Sequence, residues 1–216
     1  MTPASNLVVV WEETLKDNTD SDIYARLFLP NGTPLWHTPV NRFRGKQKNP
    51  KTVALPDNSV MIVWQSDSAG VHNNNIWAQR ILHNGHPLWK TPVPVCAYTG
   101  NQVNPAIALD LDGSVIVAWE DSRDGHADIF GQRIEPDGSP VGPEDGVSIE
   151  SSPGDQKDIQ FIYSSGKKAS SITWNDYSTG LDTPVQVEID IERVPIPEPG
   201  SIFFLVLLVF FGLRRR

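Results

Sequence analysis

Residues 119–134 read WEDSRDGHADIFGQRI, and the chain repeats this stretch. Residues 64–81 read WQSDSAGVHNNNIWAQRI, residues 11–28 read WEETLKDNTDSDIYARLF, and a weaker copy, WNDYSTGLDTPVQVEI, opens at Trp174. The leading tryptophans stand 53, 55 and 55 residues apart. A fixed period of this length marks one supersecondary unit stacked several times, because a single unit cannot bury its own apolar face.

Working outward from Trp119, the third unit opens with GNQVNP (Gly100–Pro105), an apolar run (Ala106–Leu109) and an Asp-Gly turn at residues 110–113. The strand SVIVAW follows, then a polar loop from Glu120 to Ala127, DIFGQRI, a second turn at 136–138 and a weak strand near Val147–Ile149. The second unit matches part by part through Gly45-Lys46-Gln47, Asn49-Pro50, SVMIVW and NIWAQRI. Short β-branched and aromatic runs bounded by Asp-Gly and Asn-Gly read as hairpin-linked strands. No stretch before residue 201 has a helical period, so the body reads as all-β. SVIVAW and SVMIVW are apolar on both faces and need cover on both sides. Sheets of about fifty residues stacked face to face around an axis describe a β-propeller-like array. The expected repeats are 1–44, 45–99, 100–153 and 154–193, three to four blades in an incomplete or open array. The first lacks its opening strand and the fourth its last. In the final strand Val185, Val187, Ile189 and Ile191 alternate with Gln186, Glu188, Asp190 and Glu192, as a strand with one wet face does.

From Val194 the composition changes to VPIPEPGSIFFLVLLVFFGLRRR. Residues 194–200 form a proline-rich linker, and residues 201–216 a short hydrophobic helix closed by Arg214, Arg215 and Arg216. The apolar run Ile202–Leu213 would span about 18 Å as a helix, short of a bilayer core of about 30 Å. Arginines after such a run stay cytoplasmic and put the repeats outside.

Composition excludes some functions. Residues 1–200 carry a net charge of −11, a surface that repels phosphate backbones, so nucleic-acid binding is not expected. Cys96 is the only cysteine, which rules out an internal disulfide and a Cys-rich metal site. The first residues show no basic and apolar secretory leader.

The loop carboxylates Glu120, Asp121, Asp124 and Asp128 are the candidate Ca²⁺ ligands, being hard oxygen donors. The competing reading is local turn chemistry, with Asp22, Asn75 and Asp128 at one repeated position. Arg80 and Arg133 are expected to pair with a loop aspartate, Asp67 or Asp121. His83 and His86 flank Asn84-Gly85 without an evident third ligand. No phosphate loop, serine elbow or HExxH occurs.

The repeat resembles the WEDxRxGxxDIYAQR repeats of large secreted bacterial proteins, closely in the second and third copies and loosely in the first, where Leu27 replaces the arginine. The tail, with Pro197-Glu198-Pro199, the apolar run and Arg214–Arg216, resembles the PEP-CTERM sorting signal of Gram-negative bacteria. That resemblance implies exosortase as a partner, transient anchoring in the inner membrane, removal of the tail, and delivery to the cell surface or matrix. Together these readings lead to the expectation of a non-catalytic surface repeat protein without a resident cofactor, interacting with polysaccharide among other partners. The alternative is a fragment of a carbohydrate-active propeller enzyme, of glycosidase or sialidase type, or a glycan-binding module. An enzyme should break the repeat symmetry with acidic or basic residues converging on one mouth of the axis.

Overall fold

The computed structural model describes residues 2, 4–14, 20–67, 73–110, 113–163, 170–177 and 185–190. All regular structure among them is β, in four antiparallel sheets taken in chain order. The first sheet holds β1 (Leu7–Thr14), β2 (Ser21–Phe28) and β3 (Pro34–Asn41). The second holds β4 (Gln47–Ala54), β5 (Val60–Asp67), β6 (Asn74–Ile81) and β7 (Val93–Cys96). In the third, β8 (Gln102–Leu109), β9 (Val115–Asp121) and β10 (Asp128–Ile134) are followed by β11 (Pro140–Val141) and β12 (Val147–Glu150), which both pair with β10. The fourth contains β13 (Gln156–Tyr163), β14 (Ser170–Asp176) and β15 (Val185–Asp190).

By register, β1 is the counterpart of β5, β9 and β14: Trp11, Trp64, Trp119 and Trp174 occupy one position. Among the described residues the first sheet therefore begins at the counterpart of the second strand, and the fourth shows three strands. The inner strands β4, β8 and β13 lie side by side, each packed across the sheet before it. Among the described residues no strand of the fourth sheet pairs with the first, and the four sheets do not close on one another.

Period-two alternation explains the packing. On β5, Val60, Ile62 and Trp64 face back into a cluster with Ile23 and Ala25 of β2, whereas Met61 and Val63 face forward into a cluster with Val115, Val117 and Trp119. Trp174 and Ile172 meet Ala106, Ala118 and Ile129 in the same way. Trp64, Trp119 and Trp174 are fully buried between sheets. At the far end from the loops, Gly85 lies against the Trp36 ring, where an added Cβ would come within 2.7 Å of Cγ, and Gly138 lies likewise against Trp89. Their φ angles of 85° and 94° also favour glycine.

The ion pairs differ from the expectation. Arg80 Nη2 donates to Asp57 Oδ2 at 2.6 Å and Arg133 Nε lies 3.1 Å from Asp110 Oδ2. Pairing of Met61 with Arg80 and of Ile116 with Arg133 puts both arginines at the open end of their hairpins, beside the turns that precede β5 and β9 and away from Asp67 and Asp121. Asp57 is held below the usual carboxylate range: burial works against ionisation, but hydrogen bonds from Ser59 and the Arg80 charge outweigh it.

The linker and hydrophobic tail, including Pro197, Glu198, Pro199, Arg214, Arg215 and Arg216, lie outside the described residues. Among the described residues no helix is long and apolar enough to cross a membrane.

Candidate functional site

Each inner strand starts on a Gly-x-Gln turn: Gly45-Lys46-Gln47, Gly100-Asn101-Gln102 and Gly154-Asp155-Gln156. The glycines sit at φ 99°, 103° and 104°, a left-handed conformation that a side chain would strain. The glutamines are completely buried, and each amide donates to the carbonyl four residues back, Phe43, Tyr98 or Ser152, at 2.9–3.1 Å. Two residues on, each strand bulges at Asn49, Asn104 or Asp158, whose φ angles are 52°, 53° and 59°. Asn and Asp tolerate this region best among residues with a side chain. Pro50 and Pro105 follow where the ladder is already interrupted, the place in a sheet that accepts a missing donor. The bulges turn the short polar side chains toward one mouth of the axis.

There they form a chain of hydrogen bonds from sheet to sheet. Gln65, the residue after Trp64, accepts from the Asn104 backbone amide at 2.9 Å and from Asn49 Nδ2 at 3.0 Å. Asn49 Nδ2 also donates to Asn104 Oδ1 at 2.9 Å. Glu120, the residue after Trp119, accepts from the Asp158 amide and from Asn104 Nδ2, both at 2.9 Å. Asp158 Oδ2 in turn accepts from Asn175 Nδ2 at 2.8 Å and from the Tyr177 hydroxyl at 3.4 Å. The positions repeat; the charges do not. The second and third sheets meet through Gln65, Asn49 and Asn104, all neutral, whereas the third and fourth meet through two carboxyls, Glu120 and Asp158.

Glu120 is buried and Asp158 exposed. Burial pushes the Glu120 carboxyl above its usual range, more than the hydrogen bonds from Asn104 and Asp158 pull it down, and the nearby Asp158 charge adds to the rise. Because its folded-state pKa is raised, this group's contribution favours folding at low pH and declines as pH climbs from the ordinary value of 4.5 through the folded one. Relative to Glu120→Gln, the wild type should therefore gain stability on acidification from pH 7 toward 4.5. Urea unfolding at a series of pH values measures this, and a pH-independent difference would refute it. Gln65 occupies the same position in the second sheet, so the substitution fits the site.

Beside Asp158 a shallow depression of about 520 Å³ is lined by His126, Gly154, Asp155, Lys157 and Tyr177. Tyr177 is 40% exposed. Lys157 Nζ donates to Asp155 Oδ2 at 2.5 Å, which holds the Lys157 ammonium more firmly protonated and the Asp155 carboxyl below its usual range. Asp155 Oδ1 accepts from the Ala127 amide at 3.1 Å and lies 4.0 Å from His126 Nδ1. The depression thus joins an exposed ring to fixed carboxylates and amides.

The four candidate Ca²⁺ ligands are spread over different tasks. Glu120 faces the axis. Asp121, wholly buried, accepts from Trp119 Nε1 at 2.8 Å and from Arg123 Nη2 at 2.6 Å, and also caps the Arg123 amide at 3.0 Å. Arg123 lies 4.4 Å from the Tyr98 ring and 4.0 Å from the Phe130 ring and donates to the Asp145 carbonyl at 3.0 Å. The WEDxR motif is therefore a loop clasp. Asp124 is exposed, and Asp128 is buried opposite Asp121, its carboxyl raised first by burial and then by the Asp124 charge. Among the described residues no three His, Cys, Asp or Glu side chains are grouped to hold a metal ion. Asp22, Asn75 and Asp128 do share one register position, opposite Glu13, Ser66 and Asp121. His83 and His86 sit in the turn docked on Trp36, where the His83 carbonyl accepts from Trp36 Nε1 at 3.1 Å. Cys96 is buried, its thiol pushed up to about 12 chiefly by burial.

Residue-by-residue reading of the chain passes over Asp158, Asn175, Tyr177, Asp155 and Lys157. The available signal is GDQKD at 154–158, which follows the GxQxN pattern with aspartate in place of asparagine.

No family model matches the chain, and no curated protein sequence matches it. Solved structures do. An endo-arabinase from Bacteroides thetaiotaomicron superposes with a TM-score of 0.59 at 12% identity, over 90% of this chain and 73% of that one. A thermostable family-43 glycoside hydrolase gives 0.60 at 13% identity, over 93% and 76%. An ulvan lyase of polysaccharide lyase family PL25, bound to a GlcA–Rha3S unit, gives 0.54 at 7% identity, over 88% and 53%. At these identities the likeness establishes the fold: this is an all-β, propeller-like protein. It also corrects the expectation of a non-catalytic surface repeat protein. That expectation followed from the repeat and tail resemblances, yet glycoside hydrolases are built on a similar arrangement of sheets.

Proposed function

We propose that the chain is a carbohydrate-active propeller-like enzyme, a glycoside hydrolase whose site lies at the axis mouth between the third and fourth sheets. One observation carries this reading: along the hydrogen-bonded chain of described residues, the neutral amides between the second and third sheets give way to the carboxyl pair Glu120 and Asp158 between the third and fourth. Glycoside hydrolysis needs two carboxyls in different protonation states beside one bond, and unequal environments produce that difference. Burial raises the proton affinity of Glu120, while Asp158 stands exposed at the mouth. Tyr177 offers a ring face and Asn175 and Lys157 offer donors, the mixture of apolar surface and few placed polar groups that a small-ligand site uses. Hydrolase neighbours described as an endo-arabinase and a family-43 enzyme support the reaction class.

Reducing-sugar release from arabinan and other neutral glycans tests it. The wild type should turn over at least one of them. Asp158→Asn and Glu120→Gln should each cost more than about a hundredfold in kcat, the scale of losing a general acid or base, while both variants unfold cooperatively. Undiminished turnover in both variants would remove the assignment, and binding without turnover would leave a glycan-binding module.

The tail supports a separate proposal about location: export, transient anchoring by residues 201–216, and cleavage near Pro197-Glu198-Pro199 by an exosortase. Its support is the order and spacing of the proline-glutamate-proline motif, the apolar run and the three arginines. Mass spectrometry of the mature protein from an exosortase-bearing host should find the C-terminus trimmed. An intact Arg216 on surface-delivered protein would refute it.

A further inference from the structure

The backward face of the first sheet is built to be covered. On β5 that face presents Val60, Ile62 and Trp64, which are fully buried against the first sheet. At the same register β1 presents Leu7 and Val9, 49% and 39% exposed, and the half-buried Trp11. Trp11 stacks on Tyr24 and His37, with ring centroids 5.9 and 5.4 Å away, and Arg26 lies over its ring. The Arg26 Nε is buried without a hydrogen-bond partner among the described residues. The β1 edge that β4, β8 and β13 occupy in the other sheets has no paired strand among the described residues.

The local backbone is already shaped for that strand. Between β4 and β5 a turn is closed by Leu55 N to Ser59 O and Asn58 N to Leu55 O, with Asn58 at φ 65°. The same pair of bonds recurs ahead of β1, Thr2 N to Asn6 O and Ser5 N to Thr2 O, with Ser5 at φ 62°. The turn that links inner to second strand is thus present before β1.

We infer that the β1 edge and the Leu7–Val9–Trp11 face form an interaction surface for one further sheet of this same repeat, of the kind the second repeat forms. Such a sheet brings an inner strand to the β1 edge, a small apolar forward face to Leu7, Val9 and Trp11, and an acceptor to Arg26. The interface continues the one that recurs three times along the chain. A second copy is the poorer occupant, because the forward face of the fourth sheet has Ser171 and Thr173 where the second has Met61 and Val63. The two ends of the array do not complement each other. This surface is independent of the glycan site.

The repeat itself supplies the probe. Residues 45–109, duplicated and joined directly ahead of Thr2, place a second-repeat sheet and a third-repeat inner strand in register with β1. Amide exchange over Leu7–Thr14, followed by mass spectrometry, should slow by more than about tenfold relative to the unmodified chain, the mark of a strand edge drawn into a ladder. Val9→Glu in the extended protein should abolish the slowing by placing a charge in the new core. Unchanged exchange in the extended protein, or with the 45–109 segment added separately should the fusion be insoluble, overturns the inference. Protection already present in the unmodified chain and lost on dilution gives the face to a second copy and overturns it too.

Discussion

Trp119→Ala is expected to cost about 3–5 kcal/mol of unfolding free energy, the range for removing a fully buried large aromatic and leaving a cavity. Trp119 has no exposure, packs between the second and third sheets against Met61, Val63 and Phe130, and anchors the Asp121 carboxylate through its indole N–H. Its loss removes apolar burial from both sheets and leaves Asp121 with one donor fewer. The same substitution at Trp11 should cost only about 1 kcal/mol, the scale of its aromatic stacking on Tyr24 and His37. Urea unfolding of the two variants measures the contrast. Equal losses would mean that the sheet interfaces do not carry the stability of the array.

Asp121→Ala should be about as damaging, at roughly 3–5 kcal/mol, because it strands a mostly buried guanidinium. The Arg123 side chain is 12% exposed and Asp121 is wholly inaccessible. Removing the carboxylate leaves Arg123 with the Asp145 carbonyl, a 3.4 Å contact to the Cys96 sulfur and two ring faces. The double variant Asp121→Ala, Arg123→Met should recover much of the loss, since the cost lies in the unpaired charge and not in the absent pair. Thermal unfolding of the three variants checks this. Additive single losses would show that the two residues do not act as a unit.

Both variants test the WEDxR motif, where the sequence is most legible. Repetition aligns the strands, and alternation on SVMIVW and SVIVAW places one face back and one forward. From these follow the all-β body and the buried tryptophans. Solvation and period-two geometry are local enough to be written in each repeat. The ion pairs were misplaced because they depend on which end of a hairpin a side chain occupies. Arg80 pairs with Asp57 since the register sets it opposite Met61, beside the turn.

The candidate site lies further from the reach of sequence. Asn49, Asn104 and Asp158 are 55 and 54 residues apart and look like punctuation in the GxQxN pattern. Only the stacking of inner strands around an axis brings them to one mouth, and only the left-handed bulge turns each side chain toward it. Glu120 reads in sequence as a loop carboxylate beside Asp121. The fold separates the pair, because adjacent residues on a strand point to opposite faces: Asp121 closes the clasp on Arg123, and Glu120 crosses to the next sheet and holds Asp158. The repeat by itself determined how each unit folds and which faces must be covered; the stacking of one sheet on the next decided which of many acidic residues meet.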